Sequence, residues 1–90
     1  MRASKQDLLD RLATIEGHPK GIRKMVESDQ YCVGILTQSY AVERALKKFG
    51  SVLLEGHLNS CVPTGFRDGR DQDIIRELAD LFELSRKSQV

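Results

Sequence analysis

The feature that most constrains this chain is a proline-free run from Gln30 to Val62, weakened only by Gly34, Gly50 and Gly56. Within it Ile35, Ser39, Val42, Leu46, Phe49 and Leu53 alternate in steps of four and three, the spacing of a coiled-coil seam. Leu36, Ala41, Ala45 and Val52 form a second stripe beside the first. Helical rise makes such a run roughly 50 Å long. A compact chain of this length has a gyration radius of only about 12–13 Å. Two shorter helices do not cover two apolar stripes of that length. The expected solution is a second copy of the helix running antiparallel across a two-fold axis.

The flanks are shorter. Ser4-x-x-Asp7 reads as a weak capping box, and Leu8, Leu12, Ile15, Ile22 and Met25 mark one apolar face of a first helix. Gly17 and Pro19 interrupt it and predict a kink or two shorter helices. Ser28-Asp29 is the expected N-cap of the central helix, and Pro63-Thr64-Gly65 its expected end, with the loop continuing through Asp68-Gly69. A last helix runs from about Asp71 with Ile74, Ile75, Leu78, Leu81, Phe82 and Leu84 as its apolar side. No segment alternates as a strand does. The expected fold is all-α: a three-helix protomer with one long central helix, an antiparallel homodimer with a four-helix-bundle core, and a dimer of dimers. The whole of residues 1–90 reads as one domain.

Composition supports association. Hydrophobic residues are 40% of 90, with no Trp and five aromatics (two Tyr, three Phe), so a lone protomer has a modest core. The 14 basic and 13 acidic residues nearly cancel and form no solid basic run, which neither marks the chain as nucleic-acid binding nor excludes it. Met1–Asp7 contains no apolar signal segment and no window approaches a membrane span, so the expected location is the cytoplasm, with the two cysteines as free thiols.

His57 and Cys61 stand four residues apart, which on a helix points both the same way. A thiolate and an imidazole suit copper(I) or zinc, and softness favours copper(I) as thiolates accumulate. The competing explanation is a buried thiol beside a surface histidine. Cys32 lies 25 residues before His57, about 37 Å along one helix, so it cannot join that pair within its own chain. In an antiparallel pair, positions whose numbers have a constant sum lie opposite each other. Setting Cys32 against the midpoint of His57 and Cys61 gives a sum near 91 and an axis between Ala45 and Leu46. The same register sets Val42 against Phe49, both on the seam. Ligand spacing and core pattern therefore agree on a site shared between copies. There is no phosphate-binding glycine loop, Ser/His/Asp arrangement or paired-carboxylate cleft, so no enzyme is expected.

Arg11-Leu12, Ile15-Glu16-Gly17-His18, Gly21-Ile22, Met25-Val26-Glu27, Tyr31-Cys32-Val33, Gln38, Ala41-Val42, Leu54 and His57-Leu58-x-x-Cys61 form a further set of segments. Together they resemble the copper-sensitive operon repressors, which share a family with nickel/cobalt, formaldehyde and persulfide sensors. The likeness runs from about residue 8 to residue 84. It implies a copper(I)-responsive repressor that binds operator DNA as apo-protein and is released by copper(I), held by Cys32, His57 and Cys61. It also implies supporting roles for Tyr31 and Glu77 beside the ligands, and DNA contacts at Arg11 and Lys48. Lys47, Arg44, Lys20, Arg23 and Lys24 are added on charge and helical spacing. Other members carry histidine at Cys61 (nickel and cobalt), or lack the equivalent of His57 (persulfide) or of Cys61 (formaldehyde). Pro19 and Tyr40 depart from the family pattern. A sensor of zinc, nickel or persulfide, and a copper carrier or helical interaction module without a DNA role, are the alternatives.

Overall fold

The computed structural model describes residues 4–87; the first three and last three residues of the expected 1–90 domain lie outside them. Four helices follow in order: α1 Lys5–Glu27, α2 Cys32–Asn59, α3 Cys61–Arg67 and α4 Asp71–Lys87. The three expected helices are α1, α2 and α4. The short α3 is an addition.

Helix α1 begins as its cap predicts. Ser4 Oγ accepts a hydrogen bond from the Asp7 N–H at 3.2 Å, while the Asp7 carboxylate turns forward to Arg11 Nε, also at 3.2 Å. Pro19 does not divide α1, which runs through it as one helix. Gly17, Pro19 and Gly21 together forfeit roughly 5 kcal/mol of intrinsic helix preference relative to alanine. Packing of the Leu8/Ile15 face against α2 overrides that loss.

Ser28-Asp29 closes α1 and does not cap α2. Ser28 Oγ donates to the Lys24 carbonyl at 2.8 Å. Asp29 takes a left-handed conformation (φ 54°), its N–H donating to the Val26 carbonyl and that of Gln30 to the Met25 carbonyl. This is the paired-bond ending usually given to glycine. The same ending closes α3, where Gly69 (φ 76°) supplies the left-handed residue and Arg70 N–H donates to the Gly65 carbonyl at 2.8 Å. The N-cap of α2 is Tyr31, which makes no side-chain capping bond.

The expected end of the central helix lies too late. Helix α2 stops at Asn59, and Pro63-Thr64-Gly65 lies inside α3 rather than in a loop. Proline clashes with the carbonyl four residues back and donates nothing to it. For Pro63 that carbonyl belongs to Asn59, so the break falls before the proline. Ser60 leaves helical geometry (φ −129°, ψ −63°), and its N–H and Oγ both reach back to the Gly56 carbonyl, at 3.1 and 2.7 Å. Pro63 then occupies the first turn of α3, where no intrahelical N–H is needed.

The protomer measures 56 × 30 × 13 Å with a gyration radius of 17.3 Å, well above the compact value of about 12–13 Å. Among the described residues the buried apolar core is Leu8, Ile15, Val62 and Ile74; α2 contributes none. Ile35, Val42 and Phe49 of the seam are half-buried, while Leu36, Leu46 and Leu54 are exposed. Helix α1 packs on α2, α3 on α2, and α4 on α3. Gly65 permits the last of these contacts: a Cβ there would lie 2.6 Å from Ile74 Cγ1. Of the expected apolar side of α4, only Ile74 is buried and Leu78 half-buried; Ile75, Leu81, Phe82 and Leu84 are exposed.

Candidate metal centre

The break at Ser60 shapes the site. His57 stands in the last turn of α2, and Cys61 is the first residue of α3, so the two belong to different helices rather than to one face of a single helix. Their side chains still meet. Ser60 Oγ lies 3.7 Å from Cys61 Sγ, and hydrogen bonds from Ser60 first and His57 second hold the Cys61 thiol below its ordinary pKa. Hydrogen bonds to a thiolate favour the ionised form, which is the form that binds metal.

On its other side the imidazole meets α4. His57 Nε2 lies 2.9 Å from Glu77 Oε1, yet the approach lacks hydrogen-bond geometry, and Nε2 is buried without a hydrogen-bond partner. Around this group lies an open cavity of about 400 Å³ lined by Leu53, Leu54, His57, Cys61, Glu77 and Leu81. The pair of donors therefore sits at the rim of apolar surface, with one under-satisfied ring nitrogen and one thiol biased toward thiolate. That chemistry fits a soft cation.

Cys32 is elsewhere. It is the exposed first residue of α2, the opposite end from His57, and Tyr31 beside it is 77% exposed. Neither cysteine is in a disulfide. Among the described residues no group of three or more His, Cys, Asp or Glu side chains is placed to hold a metal ion. One protomer thus brings together His57, Cys61 and Glu77, and leaves Cys32 and Tyr31 apart from them.

At the middle of the protomer Arg11 and Lys48 do come together, with Thr14, Ile15 and Ala45, around a groove of about 220 Å³ between α1 and α2. Arg11 is steered by Asp7. Arg44 and Lys47 are exposed on α2 outside that groove, and Lys20, Arg23 and Lys24 are exposed on α1, where Arg23 pairs with Glu27 at 3.4 Å. Sequence reading missed Ser60. Its signal was weak: a serine three residues before Pro63, within one turn of the carbonyl that the proline ring obstructs.

The scaffold is all-α, with a thiol–imidazole pair at one end and a groove lined by Arg11 and Lys48 on its flank. The chain belongs to the metal-sensitive transcriptional repressor family, which it matches over residues 4–84. That family consists of repressors and not of enzymes. The chain is 43% identical over 84 residues to the copper-sensing transcriptional repressor CsoR of Bacillus subtilis (strain 168), covering 93% of this chain and 83% of that protein. The crystal structure of the copper-sensing repressor CsoR with Cu(I) from Geobacillus thermodenitrificans NG80-2 superposes with a TM-score of 0.89 at 37% identity, covering 96% of this chain and 90% of that one. The nickel-responsive transcriptional regulator InrS gives 0.76 at 32% identity, covering 89% and 90%. No described helix is long and apolar enough to cross a membrane.

Proposed function

We propose that the chain is a cytoplasmic copper(I)-responsive repressor, bound to operator DNA without metal and released when copper(I) binds. The observation that carries this reading is the division of the donors: His57 and Cys61 close one end of α2, and Cys32 stands exposed at the other. An antiparallel second copy brings its Cys32 to the first copy's His57 and Cys61. The midpoint of Cys32–Asn59 falls between Ala45 and Leu46, the position that the ligand register assigns to the two-fold axis. Half-buried Val42 and Phe49 then face each other across the copies. The dimer core is a four-helix bundle of α1 and α2 from each copy, and the exposed apolar residues of α4 support a dimer of dimers.

When bound, copper(I) supplies a preference for soft thiolates that joins one copy's Cys32 to the other's Cys61 and His57. The protein's own groups prepare that site. Ser60 and His57 bias the Cys61 thiol toward thiolate, and Glu77 orients the imidazole from α4. Tyr31 reaches the site beside Cys32. Arg11 and Lys48 meet DNA phosphates from their shared groove, with Lys47 and Arg44 extending the cationic surface. A carrier without a DNA role is set aside by membership of a repressor family.

The likeness to a nickel-responsive regulator favours a second reading, in which another metal is the inducer. Binding to the chain's own upstream DNA in anaerobic, reducing buffer, with copper(I), nickel and zinc added separately, decides between them. Copper(I) alone is expected to abolish binding at one equivalent per protomer. Release by nickel or zinc, with copper(I) inert, refutes the copper reading.

A further inference from the structure

In the middle of α1, Gly17-His18-Pro19-Lys20-Gly21 concentrates two glycines and a proline within five residues. Neither glycine has a positive φ, and a Cβ at either would meet nothing within 4 Å, so conformation and close packing within the protomer require neither. Pro19 has no N–H to offer the Ile15 carbonyl. His18 adds a buried Nδ1 without a hydrogen-bond partner. Intrinsic helix preference is therefore lowest within Gly17–Gly21, a segment in which His18 is half-buried and the other four residues are exposed.

The two halves on either side are held differently. The first half carries both buried residues of α1, Leu8 and Ile15, and sets Arg11 on the groove that Lys48 also lines. The second half, from Lys20 to Glu27, has no buried residue. It is tied to the start of α2: the Asp29 and Gln30 N–H groups bond to the Val26 and Met25 carbonyls at 3.1 and 3.0 Å, and Met25 Cε lies 3.7 Å from the Cβ position of Gly34. This half bears the exposed Lys20, Arg23 and Lys24, and it leads within five residues to Cys32.

We propose that Gly17–Gly21 is a hinge. It separates a half of α1 pinned to the core from a half that moves with Cys32. Through it, the metal site swings Lys20, Arg23 and Lys24 relative to Arg11 and Lys48. This coupling rests on the copper-repressor reading, whereas the hinge itself does not.

The test uses the full chain and the triple variant Gly17→Ala/Pro19→Ala/Gly21→Ala, whose added methyl groups have room. Amide hydrogen exchange is first measured without metal or DNA. In the wild type, amides of residues 17–24 are expected to exchange at least about tenfold faster than those of residues 8–15, and the variant to slow them by about tenfold. Even protection along α1, or an unchanged variant, overturns the hinge. The second arm measures operator affinity. The variant is expected to bind without metal within about threefold of wild type, and to lose at least about tenfold of the copper-induced weakening. Copper release equal to wild type overturns the coupling. A wild type that copper(I) fails to release overturns the functional reading and the coupling with it, while the exchange result still decides the hinge.

Discussion

His57 Nε2 lies 2.9 Å from Glu77 Oε1, which joins the last turn of α2 to α4. Leu53 and Leu54 of α2 and Leu81 of α4 line the cavity beside this contact. The Glu77 side chain is half exposed, so the contact contributes at most about 1 kcal/mol to stability. Its consequence lies in position: it sets a carboxylate of α4 beside the imidazole of a candidate donor.

His57→Ala should therefore separate copper retention from DNA release. Two thiolates alone hold copper(I) in the soft environment it prefers. The variant is expected to keep copper(I) affinity within about tenfold of wild type but to stay largely DNA-bound at saturating copper. Full release by the copper-saturated variant leaves the histidine as an affinity ligand only.

Mixing variants tests the shared site. Cys32→Ala and Cys61→Ala should each lose tight copper(I) binding while still binding DNA, since in the proposed mechanism the metal-free protein is the repressor. Co-expressed, the two form heterodimers with one complete site and one lacking both thiolates. Chelator competition should then recover tight binding at one ion per heterodimer. No recovery rules out donors drawn from two copies.

The register makes a separate demand. With Cys32 and Cys61 replaced by serine, Val42→Cys and Phe49→Cys chains should cross-link to each other under mild oxidant and run as a dimer on a non-reducing gel. Failure of that pair, with cross-linking at a shifted pair, moves the two-fold axis away from Ala45–Leu46.

Ser60→Ala should raise the Cys61 titration midpoint. Ser60 is the leading cause of the lowered pKa, and its hydroxyl stabilises the thiolate more than the thiol. Between the two midpoints the wild-type sulfur is more ionised, so it reacts faster with iodoacetamide. The difference should vanish at pH values above both. Cys32→Ala backgrounds isolate the Cys61 signal, and identical pH profiles for the two proteins remove the role given to Ser60.

Asp29→Gly should stabilise the apo-protein. Asp29 holds the left-handed position that Gly69 occupies at the end of α3, and glycine accepts that conformation without a Cβ penalty. The expected gain is about 0.5–1 kcal/mol, read as a rise in the thermal midpoint with metal binding unchanged. A lower midpoint means that the Asp29 side chain contributes more than its conformation costs.

Much was legible in the linear order of residues because it is periodic or local. Steps of three and four placed α1, α2 and α4, and a helix too long for its protomer implied a second copy. The order and spacing of Cys32, His57 and Cys61 marked the candidate ligands and put Cys32 out of reach of its own His57. The glycines and prolines marked breaks only to within a turn. Whether Pro19 divides α1 depends on packing against α2, which outweighed local preference. Where Pro63 stops α2 depends on which carbonyl it clashes with.

Only the tertiary structure decided the rest, because the remaining contacts join residues with no fixed spacing. Helix α3 turns Cys61 away from the axis of α2 yet keeps it against His57, with Ser60 as the joint. Glu77 comes from 20 residues beyond His57 and meets it because Gly65 lets α4 close on α3. Arg11 and Lys48 share a groove because α1 folds back along α2. A sequence states which groups are present and their period along a helix. The approach of one helix to another is set by side-chain volume and by the geometry of the turns between them.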